Sequence, residues 1–222
     1  MKILAVDTAF AACSVAILDS GRVLAHRFEE MARGHAERLA PMVEEAVREA
    51  GLSFSMLERL GVTVGPGSFT GIRVGLAFMR GLRLALEVPL IGITSLYAMG
   101  QNALQVAGLN RVAVVQVARD DEIYCELLKD KESEGPQIVG VLEAFGIISR
   151  FAGAEPLVLA GNAQERLFPD LAARGVRVAR SDIRLPDALW VARVVAGVVP
   201  GAEVPKPFYL RAPAARPASR PK

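Results

Sequence analysis

The order of strand-like and helix-like segments constrains the fold of this chain more than any other feature, because the same order occurs twice. Residues 1–105 contain three apolar runs joined by short turns, then a helical pattern, a strand and a second helix, at 3–6, 13–18, 22–28, 34–50, 60–64 and 71–86. Residues 106–210 repeat this order at 111–117, 122–128, 137–139, 141–151, 157–159 and 163–171. Because consecutive strands joined by short turns are antiparallel, the pattern predicts two similar α/β lobes with mixed sheets.

Residues at the ends of these segments carry helix start and stop signals. Gly51 follows the first helix, where a left-handed glycine is common, and Thr94 is placed to cap the helix after a short strand at 89–93. Two further segments, at 176–178 and 186–199, close the series. We expect the apolar run Phe208-Tyr209-Leu210 to dock on the folded body, because the residues around it are mainly proline, alanine and basic residues.

Composition excludes several classes of protein. Apolar residues make up 52% and charged residues 23% of the 222 residues, which is enough for a packed core. No apolar run approaches the ~20 residues of a membrane helix, and the first residues lack a signal peptide's cleavage site. Cys13 and Cys125 are too few for a disulfide framework or a zinc site. We therefore expect a cytoplasmic protein with reduced thiols and no membrane segment.

The charge of the chain is unevenly distributed. Residues 204–222 carry no acidic residue and five basic ones, namely Lys206, Arg211, Arg216, Arg220 and Lys222. The rest of the chain has 21 basic and 24 acidic residues, so the body has no compositional sign of a nucleic-acid surface. The proline-rich composition predicts that residues 211–222 form a mobile basic tail.

A glycine-rich segment lies between a predicted strand and a predicted helix. From Gly65 to Gly75 it reads Gly-Pro-Gly-Ser-Phe-Thr-Gly-Ile-Arg-Val-Gly, and such a turn can present backbone N–H groups to an anion. It lacks the Gly-Lys-Ser/Thr ending of a Walker A loop, and its glycine spacing differs from the dinucleotide-binding pattern. The structural alternative is that the glycines adopt positive φ and let the helix pack closely on the sheet.

The motif Asp7-Thr8-Ala9 at the end of the first strand is the second candidate. Actin-like kinases place an aspartate there, near phosphate and Mg²⁺, although an Asp-Thr pair also starts an ordinary turn. The two histidines, His26 and His35, do not have the spacing of a metal site, and Ser68 lacks the setting of an activated nucleophile. We therefore assign no catalytic residue and no metal ligand.

Taken together, these motifs resemble the TsaB (YeaZ) family of bacterial accessory proteins of tRNA threonylcarbamoyladenosine synthesis. The resemblance is carried by Asp7-Thr8-Ala9, Cys13-Ser14-Val15-Ala16, Arg33-Gly34-His35, the run from Gly65 to Gly75 and Pro207-Phe208-Tyr209-Leu210-Arg211. It extends from residue 1 to about residue 212 and implies an actin-like (ASKHA) fold of two ribonuclease-H-like lobes.

The resemblance also implies a role within a complex. It predicts a non-catalytic scaffold or activator subunit that binds a TsaD-type catalytic subunit and, with a TsaE-type ATPase, supports threonylcarbamoyl transfer to the tRNA adenosine next to the anticodon. The isolated chain is expected to form a homodimer, and the sequence leaves open whether this subunit contacts the tRNA. Where the catalytic relative has a metal-binding HxxxH, this chain has Ser95 and Met99, so no metal and no cofactor are implied.

Two groups of site residues follow. The degenerate phosphate-loop positions are Asp7, Thr8, Gly67, Ser68 and Thr70. The helix at 71–86 is apolar nearly all round, so one face can cover the sheet while another needs a second surface, and two glycines four residues apart would admit a second backbone. The predicted partner interface consists of Gly71, Val74, Gly75, Phe78, Met79, Leu82, Leu86, Met42 and Val43. The alternative is that the neighbouring helix at 33–50 covers this face within the chain.

Two further functions compete with the scaffold interpretation. The first is a small phosphotransferase that binds ATP at Asp7 and the loop from Gly65 to Gly71, although no second phosphate loop is evident in residues 111–200. The second is a peptidase, because relatives have been labelled glycoproteases, although the chain lacks both metal ligands and an activated nucleophile.

Overall fold

The computed structural model describes residues 1–211 and contains two mixed β-sheets. The strands of the first sheet are β1 (Lys2–Asp7), β2 (Ala12–Asp19), β3 (Arg22–Glu30), β4 (Arg59–Thr63) and β5 (Leu90–Ile93). Their order is β3-β2-β1-β4-β5, in which the first three strands form an antiparallel meander and β4 and β5 run parallel to β1. The predicted antiparallel meander is confirmed.

The second sheet repeats this arrangement with shorter strands. Its strands are β6 (Arg111–Arg119), β7 (Glu122–Lys129), β8 (Glu132–Ser133), β9 (Gln137–Gly140), β10 (Leu157–Ala160) and β11 (Val178–Arg180). The order is β11-β10-β6-β7-β8, and β9 also pairs with β7. The two-residue strand β8 was not predicted, because so short a segment has no periodicity to detect.

Six α-helices complete the described fold of residues 1–211: α1 (His35–Glu49), α2 (Phe69–Leu86), α3 (Ser95–Ala107), α4 (Val141–Ala152), α5 (Gln164–Ala173) and α6 (Ala188–Ala196). Thr94 caps α3 as predicted, since its Oγ1 accepts a hydrogen bond from the N–H of Tyr97 at 3.1 Å. Gly51 follows α1 with φ +66°, the left-handed conformation that glycine adopts without strain.

Each sheet is covered on both faces, and two helices lie between the sheets. α1 and α2 pack on the outer face of the first sheet, and α4 and α5 pack on the outer face of the second. α6 follows the second sheet in the chain but packs on the inner face of the first sheet, whereas α3 follows the first sheet but packs on the second. The division into residues 1–105 and 106–210 stays a prediction. The packing shows in addition that each half contributes one helix to the sheet of the other half, namely α3 to the second sheet and α6 to the first.

Within residues 1–211, no helix is both long enough and apolar enough to cross a lipid bilayer. The tail expected at residues 211–222 lies outside the described part of the chain, apart from Arg211. Two mixed sheets flanked by helices confirm the fold class.

Candidate functional site

The turn after β1 and the loop before α2 are in direct contact. Thr8 Oγ1 donates a 2.7 Å hydrogen bond to the carbonyl oxygen of Gly71, and the N–H of Ser68 donates to the carbonyl oxygen of Ala9 at 2.7 Å. Ser68 also caps α2, because its Oγ accepts from the N–H of Gly71 at 3.3 Å. The structure therefore brings the two candidate motifs together. The N–H groups of Ser68 and Gly71, however, already donate to acceptors within this chain.

Glycine is required at the start of α2 because the chain's own backbone approaches it. A Cβ atom on Gly71 would overlap the carbonyl oxygen of Thr8, and a Cβ on Gly75 would lie 2.6 Å from Thr8 Oγ1. A Cβ on Gly67 would likewise overlap the carbonyl oxygen of Ala9. The sequence predicted that a partner's backbone approaches Gly71 and Gly75 closely. In the structure it is Thr8 of the same chain that approaches them.

A cleft of about 630 Å³ opens beside these two motifs. It lies between the turn after β1, the start of α1 and the start of α2, and its wall includes Thr70 and Arg33-Gly34-His35. His35 Nε2 donates to the carbonyl oxygen of Phe10 at 2.9 Å, so this histidine holds the turn after β1 against α1. Of the predicted phosphate-loop positions, Ser68 and Thr70 thus line an open surface.

Asp7 is a fully buried carboxyl group at the end of β1. Its Oδ1 accepts hydrogen bonds from Thr63 Oγ1 at 2.5 Å and from the N–H of Ala9 at 3.3 Å, while Oδ2 has no partner within residues 1–211. Burial raises the pKa of Asp7 from 3.8 to about 7, because removal from water penalises the charged form more than the two hydrogen bonds favour it; the negative charge of Asp187 adds to the rise. In this conformation Asp7 has no exposed surface through which to contact a nucleotide or its metal ion.

A second polar group attaches α6 to the first sheet. Asp187 Oδ1 accepts from His26 Nε2 at 2.8 Å and from the N–H of Leu189 at 2.8 Å, and the N–H of Ala188 donates to Ser14 Oγ at 2.9 Å. The hydrogen bond to Asp187 raises the pKa of His26 above its ordinary value. The sequence carries no signal for this pairing, because its partners are 161 positions apart and neither belongs to a recognisable motif.

Ser95 and Met99 have structural contacts at the start of α3. Ser95 Oγ donates to the carbonyl oxygen of Pro66 at 2.5 Å, and Gln116 Nε2 donates to Met99 Sδ at 3.3 Å. Both side chains are buried. Within residues 1–211, no three His, Cys, Asp or Glu side chains form a group that could hold a metal ion.

The predicted partner residues differ in burial. Met42, Val43 and Met79 are 0% exposed because they fill the core between α1, α2 and the first sheet, and Gly71 and Gly75 are buried beneath Thr8. These five therefore have no surface to offer a partner in this conformation. The other four are half-buried, namely Val74, Phe78, Leu82 and Leu86. α1 covers part of this face and leaves part of it open, whereas the alternative interpretation required α1 to cover the face entirely.

The side of α2 that points away from the sheet carries no charge. Its residues, called here the α2 crest, follow helical spacing and are exposed or half-buried: Thr70, Val74, Ala77, Gly81 and Ala85. Leu84 lies beside them and is 73% exposed. A solvent-facing helix surface is normally polar, so an uncharged crest of mostly small residues is typical of a surface that another helix approaches closely.

Residues 204–211, called here the carboxyl-terminal strap, lie against α2 on the side opposite α1. Tyr209 stacks on Phe69 with ring centroids 5.2 Å apart, and the N–H of Phe208 donates to the carbonyl oxygen of Val64 at 2.8 Å. The guanidinium group of Arg73 lies 3.7 Å from the centroid of the Phe69 ring, and its Nε donates to Tyr209 Oη at 3.0 Å. The predicted docking of Phe208-Tyr209-Leu210 is confirmed.

The two ends of the strap are held by arginines. Arg80 on α2 donates to the carbonyl oxygen of Pro205, and Arg211 pairs with Glu122 at the start of β7. A Cβ on Gly65 would lie 2.6 Å from the carbonyl oxygen of Phe208, so the glycine-rich loop also makes room for the strap. The strap thus connects α2 to the second sheet.

Two mixed sheets that exchange helices, with an Asp-Thr turn packed on a glycine-rich helix start, form an actin-like fold. The ethanolamine utilization protein EutJ from Carboxydothermus hydrogenoformans shares this fold, with a TM-score of 0.54 and 12% identity over 86% of this chain and 89% of that chain. A crystal structure from Pseudomonas aeruginosa, described as a protein with similarity to peptidase YEAZ, has a TM-score of 0.78 and 31% identity over 95% of this chain and 99% of that chain.

Sequence comparison narrows this class to one family. A family model described as TsaD, tRNA N6-adenosine threonylcarbamoyltransferase, matches residues 23–166. The tRNA threonylcarbamoyladenosine biosynthesis protein TsaB of Escherichia coli strain K12 is 34% identical over 220 residues, which cover 95% of each chain. The chain therefore belongs to the TsaB (YeaZ) family of tRNA threonylcarbamoyladenosine biosynthesis proteins, and the resemblance found in its motifs is confirmed.

Proposed function

We propose that this chain is a non-catalytic scaffold or activator subunit in tRNA threonylcarbamoyladenosine synthesis. It binds a TsaD-type catalytic subunit, which transfers the threonylcarbamoyl group to the tRNA adenosine next to the anticodon, and a TsaE-type ATPase completes the complex. Membership of the TsaB (YeaZ) family supports a role in this biosynthetic pathway. A complex that acts on tRNA works in the cytoplasm, so we place the chain there. The isolated chain uses the same surface to form a homodimer.

The α2 crest is the observation that carries this proposal. It is uncharged and solvent-facing, and it continues into the half-buried side chains of Phe78 and Leu82. Small residues on one helix allow a second helix to pack at the short end of the usual interaxial range of about 8–10 Å. The fully buried members of the predicted interface, Met42, Val43 and Met79, act only by supporting the helices from within.

The phosphotransferase alternative is less well supported by the site. Asp7 has no exposed surface, and the N–H groups of Ser68 and Gly71 already have acceptors within the chain. A kinase of this fold would need that carboxylate near a bound metal and those donors near phosphate. Isothermal titration of the chain with ATP and Mg²⁺ distinguishes the two functions, since the scaffold function predicts no saturable heat.

Ala77→Arg tests the proposed surface without disturbing the core, because Ala77 is exposed at the middle of the crest. The matched control is Ala172→Arg, which places the same side chain at an exposed position on α5 of the other lobe. An unpaired arginine buried in an interface is strongly unfavourable. We expect Ala77→Arg to weaken both homodimer formation and binding of the catalytic subunit at least a hundredfold.

The measurements are sedimentation velocity for the homodimer and titration calorimetry for the heterodimer. Ala172→Arg should behave as the unmodified chain in both. If Ala77→Arg keeps its melting temperature and still binds the catalytic subunit with unchanged affinity, the interface lies elsewhere and the proposed use of α2 is wrong.

A further inference from the structure

Two arginines border the α2 crest on the side that faces the carboxyl-terminal strap. Arg73 is exposed, Arg80 is half-buried, and both contact the strap. They are seven residues, or about two turns, apart on α2, so their backbones are separated by roughly 10.5 Å along the helix axis. Because the crest itself is uncharged, any surface that covers it meets this pair of cations along one edge.

The strap holds both guanidinium groups in place. Arg73 Nε donates to Tyr209 Oη at 3.0 Å, and its guanidinium group lies over the Phe69 ring. Arg80 Nε donates to the carbonyl oxygen of Pro205 at 3.2 Å. Within residues 1–211, neither guanidinium group pairs with a carboxylate. An arginine that is already ordered loses little freedom on binding, and its planar fork matches the two oxygens of a carboxylate.

The charge on this side of α2 is mainly positive. Arg83 follows on the same helix and Lys206 lies on the strap, where it pairs with Glu203 at 3.4 Å. Glu87 lies just beyond the end of α2. Arginines that are covered without a counter-charge oppose association, so a partner that buries the crest has to supply carboxylates along this edge.

These features favour a protein over a nucleic acid as the partner. Arginine and tyrosine are the residues most often found at the energetic centres of protein interfaces. The adjoining crest consists of small uncharged residues, which suit the close approach of a helix and offer no cation to a phosphate. A surface that follows a nucleic-acid backbone needs a track of cations, whereas here two arginines border an uncharged helix face.

We propose that Arg73 and Arg80 bind two carboxylates on the helix of the catalytic subunit that packs along the α2 crest. A helix at a shallow angle to α2 has the same rise per residue, so its two carboxylates are seven residues apart. Tyr209 and the carbonyl group of Pro205 act as positioning groups for the arginines. This inference rests on the proposed function and deepens it, because it states the chemistry of the partner surface and gives the strap a role in binding.

The first test is titration calorimetry of the full chain with the catalytic subunit at about 50 and about 500 mM salt. Arg73→Gln and Arg80→Gln should each weaken binding about tenfold at low salt, and the double variant about a hundredfold, since sites this far apart act additively. The loss should shrink at high salt, where ion pairs are screened. The matched control, Arg22→Gln with Arg150→Gln, removes the same charge at exposed positions on β3 and α4 and should bind as the unmodified chain does.

The role of the strap has its own test. Tyr209→Phe removes the hydroxyl group that orients Arg73 and should lower the affinity about threefold. In an Arg73→Gln background the same substitution should change nothing, because the group that it positions is absent. A purely structural role of the hydroxyl group would lower the affinity equally in both backgrounds.

A second test identifies the chemistry of the partner group directly. Arg73→Lys and Arg80→Lys keep the charge and introduce an amine, which a water-soluble carbodiimide joins to a carboxylate in direct contact. In the complex, mass spectrometry should find positions 73 and 80 linked to aspartate or glutamate residues of the catalytic subunit that are seven positions apart. Arg150→Lys is the control and should give no link to that subunit.

Four results would overturn the inference. They are unchanged affinity of the double variant at low salt, an equal loss in the matched control, a loss that salt does not alter, and complexes of the lysine variants without the expected links. It is also wrong if the double variant loses only the homodimer, or only binding of a fluorescein-labelled oligouridine, since the arginines would then serve a second copy or a nucleic acid. If Ala77→Arg weakens binding of the catalytic subunit while the double variant does not, only this inference fails and the proposed function stands.

Discussion

Replacing Asp7 by asparagine should make the protein more stable at neutral and alkaline pH, and the gain should depend on pH. Asp7 is a completely buried carboxyl group whose Oδ1 accepts two hydrogen bonds and whose Oδ2 accepts none among residues 1–211. In Asp7→Asn, the amide oxygen can accept the same two hydrogen bonds, from Thr63 and Ala9. The amide nitrogen takes the place of Oδ2, where a protonated carboxyl group also carries its hydrogen. The variant therefore imitates the neutral aspartic acid.

The magnitude follows from the two pKa values. An aspartate in the unfolded chain ionises near 3.8, whereas burial raises the pKa of Asp7 to about 7 in the folded protein. Between these values the folded state binds more protons than the unfolded state, so the free energy of unfolding decreases as pH rises through this window and levels off above it. A difference of about 3 pKa units corresponds to about 4 kcal/mol, at about 1.36 kcal/mol per unit. Asp7→Asn has no such proton to lose.

Urea denaturation followed by the fluorescence of Trp190, the single tryptophan of the chain, measures this effect from about pH 4 to about pH 8. Near pH 4 the two proteins should have similar free energies of unfolding. Above about pH 7 the variant should be the more stable protein by up to about 4 kcal/mol. The rise in the pKa of His26 also makes stability fall with increasing pH, but both proteins share that contribution and it cancels in their difference.

Asp170→Asn is the matched control, because Asp170 is exposed on α5 and its substitution removes the same charge. Its difference from the unmodified protein should stay constant across the pH range. The reasoning would be refuted by a difference between Asp7→Asn and the unmodified protein that does not change with pH. A variant that is equally destabilised at every pH would mean that Asp7 acts as a hydrogen-bond acceptor that asparagine cannot replace.

Three further predictions concern packing and the thiols. Gly71→Ala should lower the free energy of unfolding by about 3 kcal/mol or more, because its Cβ would overlap the backbone carbonyl of Thr8; an unchanged urea midpoint would contradict this contact. Cys13 and Cys125 should resist alkylation by iodoacetamide near neutral pH until the protein unfolds, because burial raises the pKa of each thiol to about 12, and rapid labelling of the folded protein would contradict it. Truncation after Ala212 should leave the melting temperature within about 3 °C of the full chain, and a larger fall would show that the tail contributes to folding.

Local structure and family membership were readable from the sequence. Apolar periodicity located most of the helices and nearly all the strands, and Thr94 and Gly51 marked helix ends. Short turns required the first three strands to be antiparallel. The run from Gly65 to Gly75 carried the family resemblance without any knowledge of its shape. These features are local because each depends on residues within a few positions of one another.

The exchange of helices between the two halves had no local signal. α3 and α6 have apolar faces that would suit either sheet, so their periodicity predicts that they are buried but not what they are buried against. The same limit applies to Met79, which was placed at a partner surface because a helix with two apolar faces does not reveal which face its own chain covers. Met42 and Val43, on the first helix, were assigned to that surface with it. The structure places these three side chains in the core. The residues exposed on the α2 crest are smaller than the residues that the sequence predicted for the partner interface.

The chemistry of Asp7 was decided only by the tertiary structure. The sequence places an aspartate at the end of β1, where an actin-like kinase would use a charged carboxylate, and nothing nearby in the chain indicates that this one is sealed from water. Thr63 and Asp187, which set its hydrogen bonding and part of its electrostatic surroundings, are 56 and 180 positions away along the chain. A pKa depends on the solvent and charges around a group in space. The amino-acid order therefore determined that a carboxyl group is present, and the folded packing decided that its pKa is raised well above the ordinary value.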